Sequence, residues 1–125
     1  MNKNRDKGHR FEREIMRFYK ALGFDKCITS RYSSKQKDDA GIDLDNLPIN
    51  VQCKSGYSAK SKWYRGLIDK ILEFDKSRYV VIHHTVDRRK YGKSGDLVIL
   101  PKELYNKILQ AVPRKKLEEV LKKNE

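Results

Sequence analysis

Four aspartates, Asp38, Asp39, Asp43 and Asp45, fall within eight residues that contain no Lys or Arg. The chain around them carries 29 Lys plus Arg against 17 Asp plus Glu, a formal net charge of +12, so this island runs against the prevailing sign. Clustered carboxylates repel one another unless something cationic sits among them. The island is therefore either a solvated loop neutralised by nearby basic groups or part of a site for a hard divalent cation. The spacing excludes an EF-hand, which needs Asp-x-Asp-x-Asp-Gly and a distant Glu.

In Gly41-Ile42-Asp43-Leu44 the alternation of an extended chain sets Ile42 and Leu44 on one side and Asp43 on the other. The same alternation sets Val51 and Cys53 on one face of the next apolar segment and Gln52 and Lys54 on the other. If Asn46-Leu47-Pro48 turns these segments into a hairpin, Asp43 shares a face with Gln52 and Lys54. A carboxylate, an amide oxygen and an ammonium then sit together, a set that can hold a hard cation and act on a phosphodiester. The plainer alternative is a cross-strand Asp–Lys pair on a wet sheet face. Glu12 adds a third element: at 100° per residue it lies between Met16 and Tyr19, at the edge of an apolar helix stripe that tips it toward the sheet. Glu14 lies beyond the opposite edge, and either glutamate could be an ordinary helix-surface residue.

Those side chains depend on the elements that carry them. Residues 8 to 22 form a helix with Phe11, Ile15, Phe18 and Leu22 on one face, ended by Gly23. Strands follow at Cys27 to Tyr32, Gly41 to Leu44 and Ile49 to Ser55, with Ser33 to Lys37 a polar loop. A loop over 56 to 62 leads into a second amphipathic helix carrying Trp63, Leu67, Ile68, Ile71, Leu72 and Phe74. Tyr79 to Thr85 is a buried strand, Asp87 to Gly95 a basic loop, and Asp96 to Leu100 a last strand. Pro101 at the first helical position opens a helix to about Ala111, and Pro113 opens a final one. The order predicts an α/β fold with a mixed sheet between helices. One domain spans 1–125, with a core over about 5–100 and a C-terminal helical appendage over about 101–125.

A net charge of +12 calls for a polyanionic partner. No apolar run approaches the roughly 20 residues of a membrane span, and the charged start is no signal peptide. With Cys27 and Cys53 as the only cysteines, reduced thiols and an intracellular, cytoplasmic location are expected. The same pair excludes a zinc finger. Basic residues form three patches. Lys54, Lys60, Lys62 and Arg65 interleave with Tyr57, Trp63 and Tyr64, joining phosphate-binding charge to stacking surfaces, unless Trp63 is simply core. Arg88, Arg89 and Lys90 with Lys93 form the second patch, and Lys3, Arg5, Lys7 and Arg10 the third. Arg31, Ser33, Ser34 and Lys35 precede the acids as a phosphate-contacting loop. Gly92-Lys93-Ser94 lacks the upstream glycine of a P-loop, since Asp87 stands there, so no nucleotide cofactor is expected. His83 and His84 point to opposite faces of a strand and cannot chelate one metal together.

Lys7-Gly8-x-x-x-Glu12-Arg13-Glu14, then Gly41-Ile42-Asp43-Leu44, then Val51-Gln52-Cys53-Lys54, resembles in order and spacing the PD-(D/E)XK nuclease superfamily. The likeness runs over residues 5 to 86 and is nearest to the archaeal-type Holliday-junction resolvases and their phage relatives. It implies a restriction-endonuclease-like α-β-β-β-α-β core and a Mg²⁺-dependent endonuclease, with Mn²⁺ able to substitute. By motif position the catalytic set is Glu12, Asp43, Gln52 and Lys54. Asp43, Gln52 and a backbone carbonyl would hold the metal that activates a water, Glu12 would bind a further water or ion, and Lys54 would stabilise the developing charge. Ile42 stands where the nominal motif has Pro, and Gln52 where the family usually has Glu, which removes one charge that Asp39 or Asp45 could restore. The resemblance also implies a homodimer acting on branched DNA, nucleoid-associated, in a host that is either cellular or viral. The alternatives are a repair or restriction-like endonuclease, or a noncatalytic nucleic-acid-binding module in which Gln52 has silenced the site.

Overall fold

The computed structural model describes residues 3–56 and 61–123. Helix α1 (Lys3–Ala21) buries Phe11, Ile15 and Tyr19 at four-residue spacing. Phe18 and Leu22, expected on that stripe, are 49% and 61% exposed instead. The stripe is turned because the Tyr19 hydroxyl reaches the His83 ring on the sheet, 2.7 Å away, while Phe18 packs edge-on at the margin of both rings. At the end of α1 the Phe24 N–H bonds the Tyr19 carbonyl and the Gly23 N–H bonds Lys20, a Schellman closure with Gly23 at φ +109°.

Five strands lie side by side in chain order: β1 (Ile28–Thr29), β2 (Leu44–Asp45), β3 (Asn50–Ser55), β4 (Val80–Thr85) and β5 (Leu97–Ile99). All neighbours are antiparallel except β3 and β4, which run parallel and are joined across one face by α4 (Ser61–Phe74). This is a mixed α/β fold with helices flanking a mixed sheet. Strand β4 is buried along its whole length, as a central strand covered on both faces must be. Its two histidines divide between those faces, His83 toward Tyr19 of α1 and His84 toward Tyr64 of α4. Both are core residues.

Several boundaries differ from the sequence reading. The first strand is two residues long rather than spanning Cys27 to Tyr32, because at Ser30 the chain turns into α2 (Ser30–Ser33). The expected polar loop Ser33 to Lys37 gives way to α3 (Lys35–Ala40), whose N-terminus the Ser34 hydroxyl caps by accepting from the Lys37 N–H. Because α3 buries no residue, no apolar period marks it. Of Gly41 to Leu44 only Leu44 is in a strand, and Ile42 and Leu44 do not share a side. Ile42 joins Ile68, Ile71, Val80 and Ile82 under α4, whereas Leu44 joins Phe11, Ile15, Cys27 and Val51 under α1. The basic segment after β4 holds one helical turn, α5 (Arg88–Tyr91), capped by Asp87, and a 3-10 turn over Lys93–Gly95. Pro101 and Pro113 stand just outside α6 (Lys102–Gln110) and α7 (Arg114–Leu121), neither of which buries a residue. Among the described residues no helix is long and apolar enough to cross a membrane.

Candidate active site

Asp43 occupies the point where β2 and β3 part. Leu44 pairs with Val51, so Asp43 stands opposite Gln52 at the next position, and its N–H still bonds the Val51 carbonyl. Its own carbonyl turns away to accept from Ser30, and the Cys53 N–H donates at 2.7 Å to the Asp43 carboxylate instead of to a backbone oxygen. The side chain thus stands in for a ladder partner and is held at the seam between two strands.

Three charged groups act on that carboxyl. Burial, reinforced by the Glu12 and Asp38 carboxylates, pushes it up to about 7, against the pull of the Cys53 N–H and the Lys54 ammonium. Glu12, half-buried on α1, is also raised chiefly by burial, with Arg31, Arg13 and Lys54 opposing and Asp38 assisting. The Arg31 Nε lies 3.7 Å from a Glu12 oxygen, and Arg31 Nη1 donates at 2.7 Å to His9 Nδ1. Two Arg31 nitrogens, Nε and Nη2, are buried without a hydrogen-bond partner. Glu12, Asp43 and Lys54, set far apart in sequence, are therefore one electrostatic unit, with Asp38 and Arg31 as its nearest additions.

Gln52 is 5% exposed and its Oε1 is buried with no hydrogen-bond partner. Its Nε2 lies 3.1 Å from where a Cβ on Gly41 would stand, at a residue whose φ of +95° closes α3. An orphaned amide oxygen and a carboxylate raised by burial are hard oxygen donors short of a cation, a donor chemistry that suits Mg²⁺. The set falls short of a ready acid cage: among the described residues no three His, Cys, Asp or Glu side chains are grouped so as to hold a metal.

The other candidate residues divide. Asp45 is committed to Lys37, to the Ser33 hydroxyl at 2.9 Å and to the Asn46 N–H at 2.8 Å, which holds it below the usual carboxylate range despite burial. Asp39 is exposed on α3, so Asp38 and not these two supplies the extra charge near Asp43. Ser33 and Ser34 serve the local fold through Asp45 and the α3 cap, while Lys35 is exposed. Arg88 is not a free contact: it holds both Glu14 oxygens at 3.3 and 2.7 Å, bonds Asp96 and lies over the Phe11 ring. It ties α5 to α1 and so positions the exposed Arg89 beside Lys7 and Arg10, while Lys90 is exposed on the same turn. Lys7, Arg10, Arg88 and Arg89 line a common cavity of about 430 Å³ that joins the second and third basic patches. Arg65 is exposed on α4, and Tyr57, Lys60 and the Lys62 side chain lie outside the described residues. Trp63 is 38% exposed and packs at the rings of Tyr64 and His84, so it is not core. His9 is the participant that no motif includes, and Gly41, though it heads the Gly41-Ile42-Asp43-Leu44 motif, gains its part from a positive φ and its closeness to the Gln52 amide, which spacing does not report.

Comparison with family models, curated proteins and solved structures returns no match.

Proposed function

We propose that the protein is a divalent-metal-dependent DNA endonuclease of the PD-(D/E)XK type, nearest to the Holliday-junction resolvases, working as a homodimer on branched DNA. The observation that carries this reading is the Asp43 carboxylate at the β2–β3 seam, sharing its electrostatics with Glu12 and Lys54 and facing Gln52 across the register. The strand order, with a parallel β3–β4 pair joined by α4 after an antiparallel β1–β2–β3, agrees with the α-β-β-β-α-β core of that superfamily. The net charge of +12 supplies the attraction for a phosphate backbone.

Asp43 and the Gln52 amide oxygen are the residues that would hold Mg²⁺ or Mn²⁺, with the Glu12 carboxylate adding its charge to that of Asp43. The ion would supply Lewis acidity at the scissile phosphate and a more acidic water. Lys54, whose charge acts on the Asp43 carboxyl, would stabilise the negative charge that grows during attack. Arg31, partly buried beside Glu12 and with two nitrogens that make no hydrogen bond, keeps a second cation at the edge of the site. The Cys53 N–H fixes the carboxylate before substrate arrives, so little rearrangement is left for the reaction itself.

One observation favours a second reading, a noncatalytic DNA-binding module: the absence among the described residues of three grouped acid, His or Cys ligands. Incubating a labelled four-way junction, a flap and a plain duplex with Mg²⁺ or Mn²⁺ separates the two. Cleavage of the junction in preference to duplex is the expected result. Binding to all three with no cleavage in either metal would leave the module.

A further inference from the structure

A groove lies between α4 and the start of α6, beside the beginning of β4, with a cavity of about 500 Å³. Its floor is aliphatic: Ile68, Leu72, Val80 and Pro101. Its rim is cationic, with Arg65, Lys76, Arg78 and Lys107 around a single acid, Glu103, which lies 4.0 Å from Lys107. Among the described residues Arg65 and Lys76 form no ion pair, and Arg78 acts only on Asp75, a carboxyl already bonded to Asn50 and Ser77. The groove opens beside Tyr79 and Val80, whereas Lys54 of the candidate active site pairs with His84, four residues further along β4 and about 13 Å away at 3.3 Å per residue.

Two features define what fits. Uncompensated cations want carboxylates or phosphates, and an aliphatic floor wants an aliphatic side chain. Nucleic acid satisfies only the first. Its bases need aromatic faces or base-edge partners, and among the described residues the one ring lining the groove, Tyr79, has the Lys107 ammonium over it, 5.0 Å from its centre. An acidic peptide segment with leucine-like anchors satisfies both. We infer that this groove is a docking site for an acidic, leucine-bearing segment of a partner protein, separate from the catalytic end of the sheet. The inference does not depend on what chemistry that end performs.

The test uses the full chain and a fluorescein-labelled peptide, Asp-Glu-Asp-Leu-Leu-Glu-Asp-Glu, followed by anisotropy at low salt. Saturable binding is expected, weakened at least about tenfold by Lys76→Glu or Arg78→Glu and by replacing the two leucines with serine, while both variants bind a four-way junction as the parent does. Changing the peptide probes the floor without disturbing the fold, and the charge reversals are on exposed residues. No binding at millimolar peptide would overturn the proposal. So would equal affinity for the serine peptide, which leaves charge alone. Displacement of the peptide by duplex DNA, together with weakened junction binding by the two variants, would assign the groove to DNA and overturn it too.

Discussion

Replacing Asp43 by Asn should stabilise the metal-free protein at alkaline pH, although it destroys the site. Burial and the neighbouring Glu12 and Asp38 carboxylates raise this carboxyl from 3.8 to about 7, with Lys54 and the Cys53 N–H only partly opposing them. A group whose folded value lies above its unfolded one contributes its full stability below the unfolded value and loses it as pH climbs through the folded value. Here that window runs from about pH 4 to about pH 7. At 1.36 kcal/mol per pKa unit, the loss by pH 8 is about 4 kcal/mol as an upper bound. Asn carries no charge to desolvate, and its amide oxygen can still accept from the Cys53 N–H. Urea unfolding in chelator should therefore find Asp43→Asn more stable than the parent by roughly 2 to 4 kcal/mol at pH 8, with the gap under about 2 kcal/mol at pH 5. Adding Mg²⁺ should narrow the gap. The parent gains about 2.7 kcal/mol at a hundredfold excess over its dissociation constant, and the variant gains nothing. A variant less stable than the parent at pH 8 in chelator, or one with an equal Mg²⁺ gain, would rule out Asp43 as a buried, metal-binding carboxylate.

Lys54→Ala should lower the single-turnover cleavage rate by a factor on the order of 10² to 10³ while leaving DNA affinity nearly unchanged, as rapid-quench and binding assays can check. Gln52→Glu adds the charge that the amide withholds, so a Mg²⁺ titration of activity should show a lower half-maximal concentration and less advantage for Mn²⁺. Gly41→Ala meets a φ of +95° and the Gln52 amide at 3.1 Å. It should cost about 1 to 2 kcal/mol in urea unfolding and raise the metal requirement, because the Gln52 side chain must move.

The elements legible in the sequence were those with an apolar period. The first helix, β3, α4 and β4 lie close to where Phe11, Val51, Ile68 and Val80 with their neighbours put them. What was hidden had no such period: α2, α3 and α5 bury almost nothing and are held by caps and side-chain bonds, which spacing does not report. Strict alternation also misled at Ile42 and Leu44. Residues 42 and 43 lie outside the strand that begins at Leu44, so alternation does not govern them: Ile42 enters the core under α4 and Leu44 the core under α1. Glu12 was legible from its angle to the stripe, and the half-buried position agrees with that. The fate of the basic residues was not, since Arg88 and Lys37 are spent on internal acids that lie far off or out of phase in the chain.

Cleavage of a labelled four-way junction in Mn²⁺, run side by side for the parent and Asp43→Asn at protein concentrations that bind the junction fully, shows whether Asp43 carries the metal-dependent chemistry. If Asp43 holds the catalytic metal, the parent makes paired incisions, and the variant binds tightly with no incision above the chelator control. Incision by both proteins at the same rate, or by neither, would contradict it.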